Sequence, residues 1–243
     1  MLKIAQITDL HIGQAGEDTY GVDVRQNFLS ILADLRGHDP DHLVVSGDLC
    51  YRDGEPEIYH WIKEQLDHTG LPYELLSGNH DSPQMLAEAF SLEADLTGGE
   101  LFYTRNWKDH SVIFLDTTPG TLSDQQLEWL EGELAKLSGT AVIFMHHPPL
   151  LAGVQFMDQR HPLRNREAVC EVLHKYPAAI HIFTGHYHSE KSIQEQNIFV
   201  HITPACFFQI SPFSNEFAVD HYRIGYRWIE WNGIQLRHSV RYL

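Results

Sequence analysis

Acidic, amide and imidazole side chains follow five short apolar runs of this sequence. They are Asp9 and His11, Asp48, Asn79 and His80, His146 and His147, and His186 and His188. Groups of these types bind metal ions and transfer protons in active sites. The mixture of carboxylate, amide and imidazole donors suits Mn, Fe, Zn, Co or Ni better than soft copper or Ca²⁺. The sequence therefore predicts a metal-dependent catalytic site assembled from several separate segments.

The spacing within these segments is compatible with shared ligation. Residues i and i+2 of an extended segment project to the same side, so Asp9 and His11 can reach one ion together. His186 and His188 can do the same, or they can divide between two ions. Glycine precedes three of the candidate ligands and permits sharp turns with close backbone approach: Asp48, Asn79 and His186.

A short motif taken alone is weak support for such a site. An Asp-x-His triplet is expected by chance about once in a chain of this length and composition. The string Gly-Asn-His-Asp at positions 78–81 is much rarer. The prediction of a metal site therefore rests on all five groups, because each of them follows an apolar run.

The candidate ligands need a scaffold that brings strand ends together. Predicted strands are Leu2–Thr8, His42–Ser46, Tyr73–Leu76, Ser111–Leu115, Ala141–Met145, Ile180–Phe183, Ile198–Thr203, Tyr222–Trp231 and Ile234–Arg241. Predicted helices are Val22–Leu35, Glu55–His68, Ser82–Phe90, Ser123–Leu137 and Asn165–Tyr176, with Ser82 and Ser123 as N-caps. This alternation indicates an α/β fold, and open α/β sheets bind ligands at the carboxyl ends of their strands.

The end of the chain predicts a second sheet packed on the first. Asn232-Gly233 separates the last two predicted strands and is a strong signal for a tight hairpin. We interpret residues 1–243 as a single domain. The last two predicted strands are apolar, and they either complete a sheet or pair with a second subunit. The sequence is therefore compatible with both a monomer and a homodimer.

Composition limits the partners of the protein. Among 243 residues, 17 basic and 33 acidic side chains give a formal charge of −16. Such a field repels nucleic acid polymers and acidic membrane surfaces, whereas a small anion can still bind beside metal ions. The three cysteines form no CxxC pair, residues 1–9 do not read as a signal peptide, and no apolar run is long enough for a membrane span. A cytoplasmic location is therefore expected.

The motif order resembles that of the calcineurin-like metallophosphoesterases. Their pattern of Asp-x-His, Gly-Asp, Gly-Asn-His-Asp/Glu, a strand-end His and Gly-His-x-His is present in order between residues 9 and 188. Three further stretches, at 47–59, 156–165 and 203–228, resemble the class III cyclic nucleotide phosphodiesterases, the bacterial cAMP phosphodiesterase branch. The resemblance implies a four-layer α/β/β/α sandwich, in which helices flank two mixed sheets.

The resemblance also implies roles for the candidate ligands. One ion would be held by Asp9, His11 and His188, the second by Asn79, His146 and His186, and Asp48 would bridge both. The expected metals are Fe and/or Mn, with Zn, Co and Ni left open. His80 would contact the scissile phosphate, and Asp81 would orient the ring of His80.

For several further residues the sequence leaves two possible roles open. His147 would support a ligand from behind or contact substrate. Within the segment Phe156–Arg166, Arg164 and Asn165 either contact phosphate or belong to a solvated loop whose Asn165 caps the next helix. Phe207 and Phe208 either stack on a purine or belong to the core. Many family members have Asp at position 51, so Tyr51 is a departure from the pattern, and we expect it to be structural rather than a metal ligand.

These features predict a dimetal-dependent phosphodiesterase acting on a small substrate. Two ions bridged by a carboxylate would lie about 3.5–4 Å apart and hold a hydroxide that attacks phosphorus. The favoured reaction converts 3′,5′-cyclic AMP to 5′-AMP, with hydrogen bonds to the phosphate from Asn79 and His80. The alternatives are a broader phosphodiesterase or phosphomonoesterase acting on glycerophosphodiesters or nucleotides, and a non-catalytic scaffold.

Overall fold

The computed structural model describes residues 1–243. In chain order the strands are β1 (Leu2–Ile7), β2 (His42–Ser46), β3 (Tyr73–Leu76), β4 (Leu96–Thr97), β5 (Glu100–Leu101), β6 (Tyr103–Trp107), β7 (His110–Leu115), β8 (Ala141–Met145), β9 (Ile180–Thr184), β10 (Lys191–Glu195), β11 (Ile198–Ile202), β12 (Gln209–Ile210), β13 (Val219–His221), β14 (Gly225–Trp231) and β15 (Leu236–Tyr242). The helices are α1 (Val24–Leu35), α2 (Pro56–Asp67), α3 (Pro83–Phe90), α4 (Asp124–Leu134), α5 (Gln155–Arg160) and α6 (Arg166–His174), with one 3₁₀ turn at Glu93–Asp95.

Two mixed sheets form the centre of the molecule. The first has the strand order β15-β14-β1-β2-β3, and the second has the order β10-β11-β9-β8-β7-β6. Strands β1, β2 and β3 run parallel to one another, as do β7, β8, β9 and β11. The antiparallel strands β14, β15, β6 and β10 lie toward the outer sides of these parallel sets.

Buried polar side chains connect the two sheets. The amide of Gln6 donates to Thr184 O at 3.2 Å, the hydroxyl of Tyr103 donates to Leu75 O at 2.5 Å, and the guanidinium of Arg227 donates to Ile202 O at 2.8 Å. Each bond joins a residue of one sheet to a strand of the other. The inner faces of the sheets therefore face each other.

Helices cover the outer faces and complete the layered architecture. Helix α1 is tied to the first sheet because Asp34 accepts from the hydroxyl of Tyr226 at 2.7 Å. Helix α4 lies on the second sheet, where Gln126 accepts from Asp116 N and donates to Asp116 O. One connected cluster of 65 buried hydrophobic residues fills the layers. No helix has the length and apolar character needed to cross a membrane.

The expected α/β fold with two mixed sheets flanked by helices is confirmed, and each predicted helix or strand overlaps an observed one. The predicted N-caps accept the expected bonds, from Met85 N to Ser82 and from Gln126 N to Ser123. The hairpin at Asn232-Gly233 joins β14 and β15. Helix α5 and six strands were not predicted: β4, β5, β6, β10, β12 and β13. Strand β10 lies at a sheet edge and is largely polar and exposed, so it lacks the apolar signal of a buried strand.

Candidate metal centre

The candidate ligands lie where five parallel strands end. Asp9 and His11 follow β1, Asp48 follows β2, Asn79 follows β3, His146 follows β8, and His186 and His188 follow β9. Backbone pairing continues past the strands, because Asp9 N donates to Gly47 O and His11 N donates to Asp48 O, both at 3.0 Å. The loops are thereby held in fixed positions relative to each other, and both sheets contribute to one site.

Carboxylates and imidazoles converge there at short distances. Nε2 of His146 lies 3.2 Å from Oδ2 of Asp48, and Nε2 of His188 lies 3.4 Å from Oδ1 of Asp9. The Nε2 atoms of His11 and His188 are 2.9 Å apart. In each of three groups, the potential ligand atoms lie within 4.8 Å of one another. The groups are Asp9, His11 and His188; His11, Asp48 and His80; and Asp48, His146 and His186. Asp48 belongs to two groups, as a bridging carboxylate would.

Backbone carbonyls fix the orientation of three rings. Nδ1 of His146 bonds to Ser46 O at 2.9 Å, Nδ1 of His188 bonds to Phe208 O at 3.0 Å, and Nε2 of His186 bonds to His161 O at 2.9 Å. A carbonyl only accepts, so the bonded nitrogen carries the proton. The opposite nitrogen of each ring is left for the cluster and offers a lone pair when it carries no proton, which is the arrangement of metal-binding histidines.

Five of the candidate ligands have left-handed backbone conformations. Their φ angles are 54° at Asp9, 47° at His11, 51° at Asp48, 66° at His186 and 44° at His188. This region is unfavourable for residues with a Cβ, and such residues cluster at functional sites. The conformation turns each side chain off its strand and into the space shared by the two sheets.

The charges of the cluster depend on one another. Burial opposes ionisation of Asp48, but His146 outweighs burial and holds the pKa of Asp48 well below its usual range. Burial also disfavours the charged form of His146, yet Asp48 raises the pKa of that imidazole to about 9. Burial lowers the pKa of His11 and of His186 to about 3, so both rings are neutral at pH 7.

The residues present fit a bound pair of metal ions. Nδ1 of His11 and Nε2 of His146 are buried and make no hydrogen bond of good geometry. A buried polar atom without a partner is costly, and a lone pair given to a cation removes that cost. Gly78 leaves only enough room for the Asp48 carboxylate, because a Cβ there would lie 2.2 Å from Oδ1 of Asp48.

Asn79 and His80 lie at the opening of the site. Asn79 is exposed, and it lines the cavity above the ligand cluster. Nδ1 of His80 bonds to Arg52 O at 2.8 Å, and its backbone N donates to Oδ1 of Asp48 at 3.0 Å. The unbonded Nε2 of His80 is left available to a substrate.

The expected role of Asp81 is wrong. Its carboxylate does not contact the ring of His80, which Arg52 O orients instead. It accepts bonds from the backbone N–H groups of Leu49, Cys50 and Gly78 and from the hydroxyl of Tyr59. Asp81 therefore holds together the two loops that carry Asp48 and Asn79. Burial, aided by the charge of Asp48, raises its pKa to about 6.

A cavity of about 560 Å³ opens beside the ligand cluster. Its aromatic wall consists of Tyr20, Tyr51, Phe156, Phe207, Phe208 and Phe217. The ring centroid of Phe207 lies 5.2 Å from that of His11, and the centroid of Phe208 lies 5.3 Å from that of His188. The two buried phenylalanines therefore belong to the hydrophobic core and also line the site. Tyr51 packs edge-on against Phe207 and forms part of this aromatic wall.

The segment Phe156–Arg166 lies at the site, but part of it is helix α5 rather than a loop. Arg164 donates to Pro119 O, and it faces a second cavity together with Asn79 and His147. Both polar groups of Asn165 bond to the backbone of Leu122, so this side chain neither caps α6 nor remains free for a phosphate. The amide is better described as an anchor for this segment.

Sequence reasoning missed several residues that line the site. Tyr20 and Phe217 come from two distant segments, and isolated aromatic residues give no local signal of a shared cavity. The carbonyls of Ser46, His161 and Phe208 also escaped notice, because any residue type can supply them. Only the two adjacent aromatics at 207–208 offered a usable signal.

Comparison with known proteins adds family information to this geometry. Residues 2–190 match the model of the calcineurin-like phosphoesterase family. A probable cyclic nucleotide phosphodiesterase of Fibrobacter succinogenes is 38% identical over 231 residues, covering 95% of this chain and 90% of that protein. The 3′,5′-cyclic adenosine monophosphate phosphodiesterase CpdA of Escherichia coli is 30% identical over 238 residues, covering 94% of this chain and 85% of that protein.

A solved structure shares the architecture at low identity. A dimetal phosphatase from Danio rerio superposes with a TM-score of 0.68 at 15% identity, covering 98% of each chain. This likeness concerns the fold alone. It agrees with the layered arrangement of two sheets and flanking helices described above.

Proposed function

The chain belongs to the calcineurin-like phosphoesterase family, and we propose that it is a dimetal-dependent phosphodiesterase that converts 3′,5′-cyclic AMP to 5′-AMP. The fused phosphate is a monoanionic diester. Its hydrolysis adds water across the P–O3′ bond and leaves a 3′-hydroxyl group and a 5′-phosphate. Support comes from the ligand cluster, from the cavity beside it and from the names of the curated relatives.

The proposed ligands divide into two sets around Asp48. Asp9, His11 and His188 would hold one ion, while Asn79, His146 and His186 would hold the other. Fe and/or Mn are the proposed metals, because the donors are carboxylate, amide and imidazole. When bound, such ions lower the pKa of water and neutralise charge on a phosphate.

His80 is the proposed proton donor. Its Nδ1–H is held by Arg52 O at 2.8 Å, so the protonated ring would present Nε2–H toward the opening. That proton would pass to the leaving 3′ oxygen, while Asn79 donates a hydrogen bond to the phosphate. The Arg52 carbonyl positions the ring, and Asp81 fixes the loop on which the ring lies.

The aromatic cavity is the observation that carries the choice of a nucleotide. Phe207 and Phe208 pack between the rings of His11 and His188 and the exposed ring of Tyr20, so a base stacked on Tyr20 would lie close to a phosphate at the ligand cluster. A volume of about 560 Å³ falls in the range of cavities that bind small ligands. A glycerophosphodiester has no flat ring to use this wall.

The test compares two substrates with Mn²⁺-loaded protein and a chelator-treated control. Cyclic AMP has a base, and glycerophosphocholine has none. Tyr20→Ala removes an aromatic wall that is 55% exposed, and Tyr222→Ala removes an equally exposed ring (59%) that does not line the cavity. We expect Tyr20→Ala to raise KM for cyclic AMP about tenfold, since base stacking contributes roughly 1–3 kcal/mol, and Tyr222→Ala to change nothing.

Two outcomes would overturn the proposal. Faster turnover of glycerophosphocholine than of cyclic AMP would favour the broader phosphodiesterase. A folded protein that binds two ions and cleaves neither substrate would favour a non-catalytic scaffold.

A further inference from the structure

A second cavity, which we call the basic cleft, adjoins the metal centre. It measures about 250 Å³, and its side chains include Asn79, His147, Arg160, His161, Arg164 and His186. Asn79, His161 and His186 also line the aromatic cavity, so they form the boundary between the two spaces. A molecule bound at the ligand cluster can therefore extend to either side.

The charge of the basic cleft is opposite to that of the protein. The chain carries a formal charge of −16, yet no acidic residue lines this cleft. Neither Arg160 nor Arg164 forms an ion pair with a carboxylate of the chain. Two unpaired guanidinium groups beside a phosphoesterase centre favour an anionic ligand, because arginine binds phosphate through several parallel N–H donors.

The position of Arg164 is fixed by its surroundings. Its backbone N donates to Gly120 O at 2.9 Å, and its Nη2 donates to Pro119 O at 2.5 Å. The neighbouring Asn165 bonds twice to the backbone of Leu122, at 2.8 and 3.1 Å. The loop that carries the guanidinium is thus held against the 119–122 turn, which reduces the ordering cost of binding an anion.

His147 adds a hydrogen-bond donor at the base of the cleft. Thr117 Oγ1 accepts from His147 N at 3.1 Å and lies 2.8 Å from Nδ1 of the same residue. The hydroxyl proton has only Nδ1 as a partner, so the ring proton resides on Nε2. Its Nε2–H makes no bond within the protein and is free to reach an anion.

We propose that the basic cleft is a second anion subsite, which binds a further phosphate of the substrate on the side opposite the base. The inference rests on the proposed function and specifies its substrate class: nucleotide diesters whose 3′-linked alcohol carries another phosphate, as in a 5′-phosphorylated dinucleotide. The base of the 5′-linked nucleoside occupies the aromatic cavity, and the scissile phosphate lies at the ligand cluster. The terminal phosphate meets Arg160, Arg164 and His147.

The reaction would be the same as with cyclic AMP. In pApA, water adds to the bridging phosphorus, the P–O3′ bond breaks and the 3′ oxygen takes a proton, which gives two molecules of 5′-AMP. In ApA the same cleavage gives adenosine and 5′-AMP. The two dinucleotides share the scissile bond and both bases, and they differ only in the terminal phosphate.

The test measures KM for pApA, ApA and cyclic AMP with the metal-loaded protein. We expect KM for pApA to lie roughly tenfold below that for ApA, the effect of one charge-assisted contact of about 1.4 kcal/mol. Arg160→Gln, alone and with Arg164→Gln, should bring the ratio of the two KM values close to one, and Arg160→Gln alone should leave KM for cyclic AMP unchanged. The Arg160 side chain makes no bond within the chain, so the single variant should fold normally.

Arg36→Gln is the matched control, because Arg36 is exposed, lies at the end of α1 and lines neither cavity. It should keep the preference for pApA. Equal KM values for pApA and ApA in the unmodified protein, or an unchanged ratio in the double variant, would overturn the anion subsite while cyclic AMP hydrolysis still supports the proposed function. Failure to cleave cyclic AMP and ApA alike would instead overturn the proposed function.

Discussion

Gly185 has no room for a side chain beside Asp9: a Cβ at this position would lie 2.5 Å from Oδ2 of the Asp9 carboxylate. The same Cβ would also clash with the Thr8 side chain, so Gly185→Ala should displace Thr8 and Asp9 together and weaken metal binding about 10–100-fold, the usual effect of disturbing a ligand's support. Metal analysis after dialysis against graded chelator measures this loss. Gly132→Ala is the control, because no atom lies within 4 Å of the added Cβ. Wild-type affinity in Gly185→Ala would contradict the expected displacement of Asp9 as a ligand.

Removal of Asp48 should affect both ions together. Its carboxylate belongs to two of the three ligand groups, so Asp48→Ala should reduce the content of both ions and abolish turnover. Elemental analysis of purified protein gives the metal content per chain. The exposed Asp109 serves as the control, and Asp109→Ala should retain wild-type values. An Asp48→Ala protein with two ions and full activity would refute the bridging assignment.

Loss of the His80 ring should separate turnover from metal content. His80→Ala keeps the backbone N–H that donates to Asp48, so the ligand cluster should persist. Loss of a positioned proton donor lowers kcat by roughly 10²–10⁴-fold. Activity and metal content are measured on the same preparation, with the exposed His60→Ala as control. If His80→Ala loses its metals, His80 is a ligand rather than a proton donor.

Asp81→Asn distinguishes a structural carboxylate from one that orients His80. The amide keeps one acceptor oxygen and gains a buried donor, so the N–H groups of Leu49, Cys50 and Gly78 lose part of their pairing. We expect the free energy of unfolding to fall by about 1–3 kcal/mol, with kcat of the metal-loaded fraction close to wild type. Denaturant unfolding and kcat per bound metal pair measure the two effects. A large fall in kcat without a change in stability would restore the orienting role.

Two neighbouring histidines outside the ligand set, the buried His201 and the half-buried His238, should make stability depend on pH. Burial, with the charges of His238 and Arg227, lowers the pKa of His201 to about 2, and burial with Arg227 lowers the pKa of His238 to about 4. In the unfolded chain both titrate near pH 6.5. Between these values the unfolded state binds more protons, so the stability present above pH 6.5 is lost as pH falls toward 4.

His201→Gln tests that dependence. It should reduce the slope of the unfolding free energy against pH between 6.5 and 4, by at most about 1.4 kcal/mol per pH unit for one proton. Urea unfolding of metal-free protein at several pH values gives the slope whatever the absolute stability of the variant. His60→Gln, on the surface, should leave the slope unchanged. An identical slope in His201→Gln would mean that His201 titrates normally in the folded protein.

The fold was predictable where hydrophobic patterning dominates. Strands β2, β3 and β8 are short, largely buried runs, and their predicted bounds match the observed ones. Strand β10 lies at a sheet edge, and four of its five residues are polar. Because little of this strand is buried, its sequence lacks the hydrophobic pattern that identifies a strand. Helix α5 has only six residues, so its sequence carries too few turns to show a period.

The candidate ligands were predictable for a different reason. Each follows a strand that is itself recognisable, and parallel strands end at one edge, so position along the chain implies proximity. The part played by Asp81 was not predictable, because adjacency to His80 in sequence says nothing of which donors surround a carboxylate. The carbonyl of Arg52, which does orient His80, leaves no trace in the side-chain sequence.

The left-handed backbone at Asp9, His11, Asp48, His186 and His188 sets stability against function in any attempt to engineer this protein. Glycine adopts this conformation without strain, so replacing one of these residues by glycine relieves local strain in the metal-free chain while removing a ligand. Selection for heat resistance alone would therefore reward variants that have lost the site. A directed-evolution campaign on this scaffold has to select for metal-dependent turnover at every round.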